Sequence, residues 1–97
     1  MATYVSLITW TEQGIRGFGD TVQRADDFAK MAQKAGGNVR ELLWTVGEYD
    51  IVAVIDAPDD ESLTALLLQL GQKGNVRTKT MRGFDARQMA GIIEKAT

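Results

Sequence analysis

The chain has 97 residues, 44% hydrophobic and 25% charged, with a formal net charge of −2. That describes one small soluble domain without the basic excess of a nucleic-acid binder. Cysteine and histidine are both absent, which excludes disulfides, thiolate chemistry, Ser-His-Asp catalysis and His-ligated metal or haem.

Residues 3–10, TYVSLITW, are rich in β-branched and aromatic types and predict a first strand. No basic segment precedes this run, and no run reaches the roughly 18 apolar residues of a membrane helix. A cytoplasmic location without membrane contact is the expectation. TEQGIRGFGD (11–20) carries three glycines and reads as a loop leading into a helix. From Phe18 the apolar residues fall at Val22, Ala25, Ala29 and Ala32, widened by Phe28 and Met31. That is helical spacing, stopped at Gly36-Gly37.

NVRELLWTV (38–46) and YDIVAVID (49–56) predict strands two and three. Pro58, Asp59, Asp60 and Glu61 mark the start of a second helix, where acids meet the positive end of the helix dipole. Leu63, Leu66, Leu67 and Leu70 form its buried stripe, and Gly71 and Gly74 end it. Residues 75–84 predict strand four and 85–96 a short final helix with Ala86, Met89, Ala90 and Ile93 on its apolar side. No loop has the ligand spacing of a hard-cation site; neither a metal nor a cofactor is expected.

The order β-α-β-β-α-β plus a terminal helix predicts an α+β, ferredoxin-like fold in a single domain spanning 1–97. Its four-stranded antiparallel sheet carries both main helices on one face, with strands one and three central. A sheet covered on one side should alternate apolar and polar residues. Here Tyr49, Ile51, Ala53 and Ile55 make one face of strand three, while Val52 and Val54 lie on the other. In strand one, Val5 and Leu7 oppose Tyr4, Ile8 and Trp10. Apolar residues on both faces predict that another subunit covers the second face, making a homo-oligomer, a dimer or higher.

Gly47-Glu48 reads as a two-residue type II′ turn. It would set Val46 against Tyr49, Thr45 against Asp50 and Trp44 against Ile51, with Trp44, Tyr49 and Ile51 in one apolar cluster. Asp50 would then begin a central strand on a covered face, where a carboxylate needs a partner. Arg16, Arg24, Arg77, Arg82 or backbone N–H groups are the candidates. In strand four, Arg77 and Lys79 share one face and Arg82 takes the other. Such a strand suits either an anionic ligand or a protected sheet edge.

WTEQGIR, RADDFAKMAQKAGG, WTVGEYDIVAVIDAPDDES and GNVRTKTMRGF together resemble the GYD-domain family of small bacterial proteins. The resemblance spans roughly residues 3–84, in order. The family's Gly-x-Tyr-Asp motif corresponds to Gly47, Tyr49 and Asp50. Trp10, Thr11, Gly14, Arg16, Arg24, Trp44, Asn75, Arg77, Thr78 and Arg82 match as well. Met81-Arg82-Gly83-Phe84 stands where the family more typically has Leu-Arg-Ala-Phe. The resemblance implies a fold of the dimeric α+β barrel type and supplies no chemistry.

Two functions remain open from the residues. The first is a homo-oligomeric module binding a small ligand or a partner protein through Trp10, Arg16, Arg24, Tyr49, Asp50, Arg77 and Arg82. The second is a small cofactor-independent enzyme, monooxygenase- or isomerase-like, with Asp50 as general base and an arginine as anion stabiliser.

Overall fold

A computed structural model describes residues 1–97. Four strands, β1 (Ala2–Trp10), β2 (Asn38–Trp44), β3 (Ile51–Ala57) and β4 (Val76–Gly83), form one antiparallel sheet in the order β2-β3-β1-β4. Helices α1 (Glu12–Arg16), α2 (Thr21–Lys34), α3 (Asp60–Gln72) and α4 (Ala86–Ala96) complete the chain. The expected ferredoxin-like α+β topology is present, with β1 and β3 as the central pair.

The core lies between the sheet and helices α2 and α3. Tyr4 and Ile8 from β1 and Ile51, Ala53 and Ile55 from β3 meet Phe28, Ala32, Leu63 and Leu66 from the helices. In each central strand these are alternate residues, so the pleat sends them to one side. Phe28 and Ala32 stand four apart, as do Leu63 and Leu67, giving each helix its apolar stripe.

The predicted loop at 11–20 is a short helix followed by a 3-10 turn over Phe18–Asp20. The Thr11 side chain caps α1 by accepting from the Gly14 N–H, 3.0 Å. This local bond outweighs the poor helix propensity of the glycines. α2 therefore begins at Thr21, and Phe18 and Val22 are exposed rather than part of its buried stripe. α3 runs through Gly71 to Gln72 and ends at Gly74, whose φ is +83°. Asp59 caps its start, accepting from the Ser62 N–H at 2.8 Å. That bond holds the Asp59 carboxyl below its ordinary range.

Tyr4 ties the far end of the sheet to α3. Its hydroxyl donates to Asp60, and Arg82 stacks over its ring 5.8 Å from the centroid. Burial first, then the bond to Asp60, pushes the Tyr4 phenol up to about 12. A phenol that keeps its proton longer when folded stabilises the fold fully below pH ~10 and loses that contribution between about 10 and 12. Thermal melts should therefore fall steeply across that window. Tyr4→Phe should flatten the fall, and an unchanged slope in the variant would contradict this assignment.

α4 starts in a capping box, with Asp85 and Gln88 bonding each other's backbone N–H groups. None of its residues is buried. The molecule is correspondingly elongated, 50 × 30 × 18 Å. Its radius of gyration is 14.5 Å, against about 12.5 Å for a compact chain of this length.

Candidate functional site

The register defines two faces. On the helix side lie Tyr4, Ser6, Ile8, Ile51, Ala53 and Ile55. On the other side two apolar rows cross the sheet. Leu43, Val52 and Leu7 form one, ending in Lys79; Val54, Val5 and Met81 form the other, beginning at Glu41. No element of the chain packs over them: Leu43 is 54% exposed and Met81 50%.

Polar rows close this open face at both ends. At one end Asp56 accepts from Thr3 Oγ1 at 2.9 Å and pairs with Arg40 Nε at 3.0 Å. Arg40 also donates to Thr3 Oγ1 at 3.2 Å. The sequence reading missed this triad. Thr3 and Asp56 are cross-strand partners, a relation visible only once the register is known. At the other end stand Thr9 and Arg77, paired across β1 and β4.

The Gly-Glu-Tyr-Asp hairpin lies at that second end. Gly47 has φ +138°, a region that favours glycine, as expected for a turn. The turn is wider than the predicted two residues. The innermost backbone bond is Thr45 N–H to the Asp50 carbonyl, 2.8 Å, and Val46 is fully exposed instead of pairing with Tyr49. The Thr45 hydroxyl donates to the Tyr49 carbonyl, and this side-chain bond replaces the missing ladder rung. Tyr49 thereby leaves the strand's alternation. Its ring lies 5.9 Å from Lys79 Nζ, beside the open face, and not in a cluster with Trp44 and Ile51. Trp44 pairs with Ile51 as expected, but at the rim of the helix face, its indole N–H donating to Thr21 Oγ1 at 3.0 Å.

Asp50 finds its partner in the backbone. Its N–H donates to the Ile8 carbonyl at 2.9 Å, and its carboxylate accepts the Trp10 N–H at 2.8 Å. β3 begins only at Ile51, so the side chain satisfies a β1 donor that the ladder no longer reaches. Charge-assisted bonds of this kind contribute about 1.5–3 kcal/mol. Asp50→Ala should lower stability by roughly that much, and Asp50→Asn, which keeps an acceptor oxygen, by distinctly less. Equal losses in denaturant titration would show that the bond to Trp10 is not what matters.

The remaining predicted residues separate. Arg16 is exposed and pairs with Glu12 at 3.0 Å. Arg24 donates to the Gly14 carbonyl at 3.1 Å. Arg77 is exposed on the open face. Arg82 lies at the opposite end of the sheet, between the rings of Tyr4 and Phe84. Only Trp10 and Arg24 share a cavity. It measures about 60 Å³ and sits between α2, α3 and the hairpin end of the sheet. Its walls are mostly apolar, with Phe28, Met31, Leu42 and Leu70 among them. The Trp10 indole Nε1 is buried and has no hydrogen-bond partner. An orphaned donor of this kind costs about 1–3 kcal/mol. Asp50 does not line the cavity. No helix is long and apolar enough to cross a membrane.

A four-stranded antiparallel sheet in this strand order, with its helices on one face, is a ferredoxin-like domain. The GYD domain profile matches residues 4–93, and the chain belongs to the GYD-domain family. It is 26% identical over 85 residues to a Thermus thermophilus protein named "Glutamine synthetase and cystathionine beta-lyase binding protein". That match covers 87% of this chain and 90% of the relative. The crystal structure of TTHA0845, also from Thermus thermophilus, superposes with a TM-score of 0.57 at 25% identity, covering 89% of this chain and 96% of that one. A feast or famine regulatory protein from M. tuberculosis, complexed with L-methionine, gives 0.65 at 17% identity over 89% of this chain and 52% of that one. The second likeness is one of fold alone.

Proposed function

We propose that this protein is a homo-oligomeric adaptor that carries no reaction of its own and docks on a partner enzyme. The observation that carries this reading is the open apolar face of the sheet. Two rows of aliphatic side chains, rimmed by polar rows, have the anatomy of an interface core and rim. A second copy suits this face. A two-fold axis between two stacked sheets, running along the strands, sets β2 of one copy over β4 of the other. Glu41 then approaches the Lys79 edge of its partner, so the charges at the rim complement each other.

Self-assembly uses the sheet and leaves α4 for another protein. Its apolar side carries Met89 (47% exposed) and Ile93 (53%), with Phe84 just before the helix. An amphipathic helix with nothing packed on it is the element that lies in a groove of a partner. The named Thermus relative supports an enzyme as that partner. Asp50, the candidate general base of the alternative reading, serves as a backbone cap instead.

The test is direct binding to the glutamine synthetase and the cystathionine β-lyase of the same cell, measured by biolayer interferometry. The reading predicts a complex with at least one of them, with Kd on the order of micromolar. Ile93→Glu should weaken it at least about tenfold without changing the mass of the free protein. No complex with either enzyme at tens of micromolar would overturn the choice of partner.

A further inference from the structure

The cavity between the helices and the sheet lies on the side away from the open face, so what it holds is independent of assembly and partner docking. We infer that it is a binding site for a small carboxylate with a short aliphatic body. A purely apolar cavity of this size would need no occupant. This one has two polar features that an apolar filling leaves unused.

The first is the Trp10 indole N–H, buried, on a lining residue and without an acceptor. An indole nitrogen only donates, so its partner must supply an oxygen or another lone pair. The second is Arg24, also on the lining. Its hydrogen bond goes to the neutral Gly14 carbonyl, and it takes part in none of the ion pairs of the structure. A guanidinium has five N–H donors, enough to keep that bond and grip a carboxylate as well. Lys73, also a lining residue, is exposed and solvated at the cavity's edge. Asp27 is the acidic lining residue, and it accepts from Gln23 Nε2 at 3.0 Å. Asp27 and Lys73 are both exposed and offset each other, which leaves Arg24 as the half-buried charge on the lining and favours an anion.

Size narrows the class. A cavity needs roughly 10–15 Å³ to hold one water, so the cavity of about 60 Å³ admits roughly four or five non-hydrogen atoms. The short aliphatic body of a ligand of that total size would lie toward Phe28, Met31, Leu42 and Leu70. The carboxylate would stand toward Arg24, with one oxygen accepting from Trp10.

The two tryptophans allow a clean test. Trp44→Phe leaves Trp10 as the reporter, and this protein is titrated with propanoate, whose five non-hydrogen atoms match the cavity, and with its neutral amide. The carboxylate should give a saturable change in Trp10 emission, half-complete in the millimolar range or below. The amide should bind at least about tenfold more weakly. Arg24→Gln should weaken the carboxylate by a similar factor, and Ala25→Leu, which fills the cavity, should abolish the response while circular dichroism stays native. If Ala25→Leu does not fold, the Arg24→Gln and amide comparisons decide alone. No saturable response to propanoate or acetate up to about 50 mM would overturn the inference. So would equal binding of acid and amide, which would show that Arg24 does not select a charged group.

Discussion

Val52→Lys is expected to leave the fold intact and to break the assembly. Val52 sits in the middle of an apolar row, opposite Leu7 in β1 and Leu43 in β2, on the face that no helix covers. In a single copy its side chain is partly exposed, so a lysine there can send its ammonium into water along an apolar stem. In a face-to-face pair the same ammonium would lie near the centre of the interface without a carboxylate within its row. Leaving a charge unpaired in such a position costs several kcal/mol, enough to shift a micromolar association out of reach. The variant should keep a native circular dichroism spectrum and lose most of its thermal stability gain with concentration. A variant that assembles like the parent would move the interface elsewhere.

Gly14→Ala should have the largest effect on folding. A Cβ at this position would stand 1.9 Å from the Asn75 carbonyl oxygen and 2.8 Å from its carbon, both main-chain atoms. The obstacle cannot rotate away. The reason for the close approach is a clamp between α1 and the turn before β4. The Thr11 N–H donates to the Asn75 carbonyl at 3.0 Å, and its hydroxyl donates to the Gly74 carbonyl at 2.5 Å. Gln13 adds bonds to the Lys73 carbonyl at 3.0 Å and to Asn75 Oδ1 at 2.9 Å. A methyl group at Gly14 must push the two segments apart and strain this set together. Overpacking against side chains costs about 1–3 kcal/mol, and backbone that cannot relax puts this case at about 3 kcal/mol or more. For a domain of this length that corresponds to a Tm lowered by roughly 12 °C or more. A loss under about 1 kcal/mol in denaturant titration would mean that α1 is not clamped in solution.

The features legible in the sequence are those set by local periodicity. Alternation in TYVSLITW and YDIVAVID separates Tyr4 and Ile8 from Val5 and Leu7, and Ile51, Ala53 and Ile55 from Val52 and Val54; the structure puts the first set of each strand on the helix side and the second on the open face. Lys79 and Arg77 were read onto one face of β4 and Arg82 onto the other, and the register agrees. The hairpin was read too tightly. A two-residue turn follows from Gly-x alone, whereas the Thr45 hydroxyl and the Asp50 carboxylate both bond to backbone and widen it. That rerouting carries Tyr49 across the sheet, away from Trp44.

The short helix α1 was hidden for a related reason. Glycines at 14, 17 and 19 signal a loop by propensity. One of them is there because the Asn75 backbone leaves no room for a side chain, a constraint imposed by a segment about sixty residues away. The cavity was also beyond a linear reading. Trp10 and Arg24 were both singled out, but their meeting depends on how α2 lies across the sheet. An unpartnered indole N–H is a property of packing, not of sequence.

The open face of the sheet is the interface between copies on which the proposed function rests. The mass of the protein at micromolar concentration, measured by light scattering on a sizing column, tests this directly. One chain weighs 10.6 kDa. The account predicts a species at twice that mass or a higher multiple, returning toward the single-chain mass in Val52→Lys. A single 10.6 kDa species of the parent protein, stable across the concentration range and free of bound ligand, would contradict it.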